Sequence, residues 1–197
     1  MNNIVNLRTF ATARGVPIVV LIDMQKEYLA TPRMIAIPNI EPAVKNCRKI
    51  LAHARKVGLP TIFVRWLDQS APFFNKATPF VSWIDGFEPQ RNEMIFERSR
   101  PSCYASNDFA SLVQQGGADV VIAGFAGEAA CLSTMMEAFH RNHRMTFLAD
   151  ASASHPLGDM TAEAVHSAVA KIAGIYGEVE KTDVWLNAIY ADEVVSG

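Results

Sequence analysis

The chain has 197 residues, half of them hydrophobic and 19% charged, with a formal net charge of −2. That length suits one domain with a single sizeable core, and so apolar a chain with so little net charge is not disordered. Lys and Arg number 18 against 20 Asp and Glu, which leaves no basic face for nucleic acid. The three cysteines, Cys47, Cys103 and Cys131, form no CxxC pair, and no His/Cys grouping has zinc-finger spacing, so neither a disulfide scaffold nor a structural metal is expected. Free thiols suit a reducing cytoplasm. Residues 1–15 have no apolar core of signal-peptide type, and no stretch approaches the roughly 20 apolar residues of a membrane helix. The expectation is a cytoplasmic protein that binds no membrane, with residues 1–15 as an N-terminal arm of a single domain spanning 1–197.

The first predicted strand is the β-branched run from Val16 to Ile22, ending at Asp23. Such a continuous run suits a strand buried on both faces. From Glu41 to Val57, Val44, Cys47, Ile50, Leu51 and Ala54 recur at helical spacing, and Gly58 closes the helix. Thr61 to Trp66 reads as a second strand, and a Pro- and aromatic-rich stretch follows over 68–92. Glu93 to Glu97 is a short third strand. Asn107-Asp108 start a helix that runs to about Gln115 and stops at Gly116-Gly117. Ala118 to Gly124 is the fourth strand, followed by a helix from about Glu128 to Asn142. Met145 to Ala149 is the fifth strand, ending at Asp150, and Thr161 to Ile172 is helical. Gly177 to Glu180 supplies a sixth strand, and Thr182 to about Tyr190 a last helix. This alternation predicts an α/β fold: a three-layer, Rossmann-like sandwich on a mainly parallel sheet of about six strands. Ligands in such folds bind beyond the carboxyl ends of the strands. That rule points to Asp23, Trp66, Arg98, the Gly124–Cys131 turn and Asp150.

No phosphate loop follows the first strand, where the chain reads Asp23-Met24-Gln25-Lys26, and no GxxxxGK[ST] occurs, so no nucleotide cofactor is expected. Asp23, leaving a buried strand, is either a partly desolvated general acid or base or a turn cap. Cys131 lies at the first turn of a helix, where amides and the helix dipole favour a thiolate; the plain alternative is a small buried side chain. Arg98 ends the third strand, where a fixed cation holds neighbouring anions or a substrate carboxylate; Arg100 competes for that role. Cys47 falls on an apolar helix face and reads as core, whereas Cys103, in a Ser102-Cys103-Tyr104 turn, lines a site or simply packs. His140, His143, His155 and His166 carry no acidic ligand pattern, so metal is not expected. Phe73, Phe74, Phe80, Trp83 and Phe87 suit a pocket lid or a subunit contact.

Four pieces of the chain together resemble the isochorismatase-like hydrolases, also called cysteine hydrolases. They are Val19-Val20-Leu21-Ile22-Asp23-Met24-Gln25, Arg98-Ser99-Arg100-Pro101-Ser102-Cys103-Tyr104, Val121-Ile122-Ala123-Gly124-Phe125 through Cys131, and Phe147-Leu148-Ala149-Asp150-Ala151. The resemblance spans roughly residues 16–190. It implies a catalytic triad of Asp, Lys and Cys that forms an acyl-enzyme on an amide or related carbonyl. Asp23 matches the family Asp. The family lysine position holds Arg98, which keeps the charge but does not shuttle a proton. The family cysteine usually falls six residues after the strand-ending glycine; here that position is Ala130, and Cys131 follows it. One residue on a helix is about 100° of rotation. True isochorismatases show a similar arrangement and cleave a vinyl ether with Asp as the acid–base group. Nicotinamidase is disfavoured, because no Asp-x-His motif lies between Asp23 and Trp66.

Three readings follow. The first is a C–N hydrolase (an amidase acting on an amide, lactam or ureido compound) with Asp23 as base, Cys131 as nucleophile and Arg98 as electrostatic partner. The turn around Ala126, Gly127 and Ala130 would supply the oxyanion hole, and Gln25, Trp66 and Phe125 would line the substrate site. The second is a vinyl-ether hydrolase using Asp23 without a nucleophile, Arg98 binding a substrate carboxylate. The third is an inactive binding or assembly member. A small-molecule substrate is the expected partner, and the resemblance implies a homo-oligomer, dimer or tetramer.

Overall fold

A computed structural model describes residues 16–116 and 119–195, the side chains only as far as 188. The predicted N-terminal arm, residues 1–15, lies outside the described residues, as do Gly117 and Ala118. Six strands form one parallel sheet in the order β3-β2-β1-β4-β5-β6. They are β1 Ile18–Ile22, β2 Thr61–Trp66, β3 Met94–Arg98, β4 Val120–Gly124, β5 Met145–Ser152 and β6 Glu178–Glu180. Among the described residues, five α-helices pack on the sheet, four between strands and one after β6: α1 Glu41–Val57, α2 Asn107–Gly116, α3 Leu132–His140, α4 Ala162–Tyr176 and α5 Thr182–Val195. None is long and apolar enough to cross a membrane among the described residues.

The period-two alternation of β1 decides the layers. Val19 and Leu21 join Phe63, Val121 and Ala123 on one face, under α1 and Trp185 of α5. Ile18, Val20 and Ile22 join Ile62, Val64 and Ile122 on the other, under α2, α3 and α4 through Phe109, Met135 and Val169. Both faces of the central strands are therefore buried, as their continuous apolar runs require. The α1 stripe of Val44, Cys47, Ile50, Leu51 and Ala54 is buried, and Gly58 ends the helix in the left-handed conformation with its N–H on the Ala54 carbonyl.

Several boundaries differ from the sequence reading. The third strand begins at Met94 and includes Arg98, and the fourth begins at Val120. The fifth runs on to Ser152, so Asp150 lies inside it rather than at its end. Its Oδ1 accepts from both the amide and the hydroxyl of Thr182, at 2.7 Å each, and so caps α5. The helix placed at Glu128 begins as a π turn, Gly127–Cys131, and α3 stops at His140 because Asn142 takes a left-handed φ of 58°. The aromatic segment over 68–92 turns inward: Phe74 and Phe87 are core residues, Phe73 and Trp83 pack on them, and Arg33 lies over the Phe80 ring. Phe73, Phe74, Trp83 and Phe87 thus belong to the core on the α1 face of the sheet instead of standing free as a lid.

Candidate active site

The sheet brings Asp23 and Arg98 together across the carboxyl ends of β1, β2 and β3. Asp23 leaves β1 with a left-handed φ of 47°, a conformation Asp tolerates better than most residues. Its carboxylate is fully buried. Arg98 ends β3 beside Trp66 of β2. Its Nη2 donates to Asp23 Oδ2 at 2.5 Å, and Nη1 donates to the Arg100 carbonyl at 2.6 Å. The guanidinium lies 5.0 Å over the Trp66 ring, which stacks on Phe74. Arg98 thus takes the cation position, while Arg100 contributes only its backbone carbonyl.

Burial pushes the Asp23 carboxyl up to about 6; Arg98 opposes this, with smaller help from the Trp66 backbone and the Tyr28 hydroxyl. Burial also pulls Arg98 down, but its ionisable neighbours, Asp23 first, raise it overall. The pair is therefore a fixed guanidinium beside a carboxyl that takes up a proton within the physiological range. Asp23 Oδ2 is held, whereas Oδ1 is buried and closes no hydrogen bond.

Cys131 faces another way. Its Sγ lies 3.4 Å from the Gly124 carbonyl and 3.7 Å from Ser152 Oγ, at the ends of β4 and β5. Burial pushes this thiol well above its ordinary value; the Ser152 hydroxyl pulls it down, and Cys103, Asp23 and Cys47 push it further up. Among the described residues, no cation lies in hydrogen-bond contact with its Sγ to favour a thiolate. Ala130, in the position that the resemblance assigns to a nucleophile, is buried and carries no reactive group. Cys103 is also buried, and its thiol is raised to about 11 by desolvation, against the pull of Arg98. Cys47 is core, its Sγ on the Ala151 carbonyl.

The turn itself is tightly packed. The Phe125–Ala126 peptide is cis. A Cβ on Gly124, whose φ is 119°, would stand 2.1 Å from the Ile22 carbonyl oxygen, so the approach of β4 to β1 requires glycine. The Gly127 amide donates to the Ala153 carbonyl at 2.8 Å, and the Ala129 and Cys131 amides point to the Ala126 carbonyl. The Gly127 N–H expected in an oxyanion hole is therefore already engaged.

Gln25 is buried and braces the fold. Its Nε2 donates to the carbonyls of Trp66 and Val81, and its Oε1 accepts from the Trp66 amide. These bonds pin β2 and the aromatic segment to the chain after β1 and engage both polar atoms of the side chain. Phe125 is buried against the Tyr28 ring. Tyr28, Glu128 and His155 complete the surroundings, and no sequence pattern singles them out. The Tyr28 hydroxyl is pushed up by burial and by Asp23, against the pull of Arg98, with smaller contributions from Glu128 and Cys131. His155 meets an acceptor at each ring nitrogen, Glu128 Oε1 at 2.7 Å and the Ile35 carbonyl at 2.9 Å. Two acceptors favour an N–H at each nitrogen, and the Glu128 bond and the Ile35 carbonyl outweigh burial and raise the ring's pKa. His166 pairs with Ser154 and the Ala149 carbonyl, and His143 with Tyr104. Among the described residues, no group of three or more His, Cys, Asp and Glu is placed to hold a metal.

Comparison with known proteins bears on this geometry. The isochorismatase domain model matches residues 17–183. The isochorismatase family protein YddQ of Bacillus subtilis is 27% identical over 174 residues, covering 84% of this chain and 96% of its own. The crystal structure of an isochorismatase from Pseudomonas putida KT2440 superposes with a TM-score of 0.77 at 28% identity, covering 86% of this chain and 89% of the other. An N-carbamoylsarcosine amidase from Thermoplasma acidophilum shares the fold, with a TM-score of 0.68 at 22% identity over 85% and 96% of the two chains. The parallel six-stranded sheet, with an acid leaving its first strand and a cation ending its third, is carried by a chain that belongs to the isochorismatase domain family and is an isochorismatase-like hydrolase.

Proposed function

We propose that this hydrolase cleaves a carboxylated enol ether by proton transfer from Asp23, with no covalent enzyme intermediate. The observation that carries this reading is the contrast between the two candidate groups. Asp23 offers an unengaged buried oxygen on a carboxyl that protonates near pH 6, whereas Cys131 holds its proton and faces the Gly124 carbonyl and Ser152.

The chemistry follows from the geometry. Arg98 Nη2 holds Oδ2 as an acceptor, so the acidic proton resides on Oδ1. Oδ1 delivers it to the terminal vinyl carbon, and the ether oxygen stabilises the resulting oxocarbenium ion. Water adds to the carbon that bears this oxygen and returns a proton to Asp23. The hemiketal then collapses to an alcohol and a ketone, so the net change is the addition of one water. Positioned acids of this kind contribute roughly 100- to 10,000-fold. Arg98 keeps Oδ2 fixed and supplies the positive charge that a substrate carboxylate seeks.

The test is turnover in D2O. Proton delivery to carbon puts one deuterium on the product carbon next to the ketone, read by NMR at early times. Turnover of an amide with no carbon-bound deuterium, together with an acyl adduct on Cys131 by intact mass, would establish the cysteine route instead.

A further inference from the structure

The Asp23–Arg98 pair is part of a larger pattern of unmatched polar atoms. Asp23 Oδ1, Arg98 Nε and Trp66 Nε1 are all buried and close no hydrogen bond. The three residues touch one another: Arg98 holds Asp23, and its guanidinium lies over the Trp66 ring on the adjacent strand. A buried donor or acceptor left unmade costs about 1–3 kcal/mol. Three in one contact cluster, while neighbouring Gln25 satisfies every polar atom of its side chain, mark the place where an outside molecule supplies the partners.

The chemistry of the three atoms defines that molecule. Nε of Arg98 and Nε1 of Trp66 are donors only. Once Asp23 carries its proton on Oδ1, that atom is a donor as well, and Arg98 then lacks a neutralising anion. We infer that Trp66, through its indole N–H, joins Arg98 Nε in seating a carboxylate, and that Trp66 thereby selects an anionic substrate over a neutral one of the same shape. The inference rests on the reading of Asp23 as the acid, and it adds a coupling: a bound anion stabilises the protonated carboxyl, so substrate loads the acid it needs. The groups that act on Asp23 are Arg98 from β3, the Trp66 backbone from β2 and Tyr28 from the turn after β1, and the Cys103 and Cys131 thiols are coupled to it as well. Neither thiol is an anion near neutral pH, so Arg98 is the charge that governs the coupling.

The experiment labels tryptophan indole nitrogens with 15N and titrates the full chain with sodium acetate or acetamide at constant ionic strength. The chain has three tryptophans, and Trp66→Phe identifies the Trp66 signal while keeping a ring beneath Arg98. Acetate has four heavy atoms, so a Kd of roughly 1–30 mM is expected. The Trp66 indole resonance should move saturably with acetate and at least tenfold more weakly with acetamide. Acetate at about ten times its Kd should raise Tm by roughly 3–6 °C in the wild type and by under 1 °C in Trp66→Phe. The acetate Kd should weaken about tenfold between pH 5.5 and pH 7.5. A Trp66 signal unmoved at 100 mM acetate, an equal response to acetamide, or an undiminished Tm rise in Trp66→Phe would overturn the inference. Turnover of carboxylated enol ethers with a silent indole sinks this site alone; a responsive indole with no such turnover sinks the enol-ether reading alone.

Discussion

Replacing Asp23 with asparagine tests the balance between burial and ion pairing at the site. The Asp23 carboxyl rises from 3.8 to about 6 because desolvation outweighs the attraction of Arg98. The folded state therefore binds more protons than the unfolded state between those two values, and stability falls as pH rises through that window. At about 1.4 kcal/mol per pH unit, the displacement is on the order of 3 kcal/mol. That stability is fully present below about pH 4 and lost above about pH 6. The amide that replaces the carboxyl in Asp23→Asn cannot ionise, so the difference in stability between wild type and variant should move by up to that amount in favour of the variant from pH 4 to pH 7. Urea unfolding of both proteins at half-unit pH steps reads it directly. A pH-independent difference would show that Arg98 cancels burial completely. A difference that moves the other way would show that the ion pair wins and that Asp23 is ionised throughout the neutral range.

Arg98→Met removes the partner of a fully buried carboxylate and should cost roughly 3–5 kcal/mol at pH 7.5, less at pH 5, where Asp23 is neutral; equal losses at both values would contradict the assignment. Native Cys131 should react with iodoacetamide at pH 7.5 at least 100-fold more slowly than in urea, since it is buried and its thiol is raised; peptide mass mapping reads each cysteine, and a fast-reacting native Cys131 would restore the nucleophile reading. Gly127→Ala should lower Tm by several degrees, because the added Cβ would stand 2.8 Å from Ser154 Oγ and 2.9 Å from His166 Nδ1; an unchanged Tm would show that this turn has slack.

The strands and helices are legible because the periodicities are clean. The β1 run is buried on both faces, and α1 carries an uninterrupted apolar stripe closed by Gly58. Asp23 and Arg98 are legible from their places at strand ends, where the parallel sheet concentrates its ligands. Asp150 matches the same rule and departs from it, because β5 continues two residues further and the carboxylate finds Thr182 first. Gln25 looks like a site residue by sequence neighbourhood alone; two carbonyls and an amide from distant segments claim its side chain, contacts that no local pattern encodes. The heading of Cys131 is unreadable for a related reason. The turn is π-helical, so α-helical rotation does not give the direction of its side chains. Tyr28, Glu128 and His155 come from three separate segments, and only the fold brings them together.

The comparison that bears most directly on Asp23 as the reacting group is kcat/KM for Cys131→Ala and Asp23→Asn, measured side by side on one carboxylated enol ether that the wild type turns over. The proton-transfer mechanism predicts that Cys131→Ala stays within about threefold of wild type, while Asp23→Asn falls roughly 100- to 10,000-fold. Loss of activity in Cys131→Ala, with that variant still folded by urea titration, would contradict it and make the thiol the reacting group.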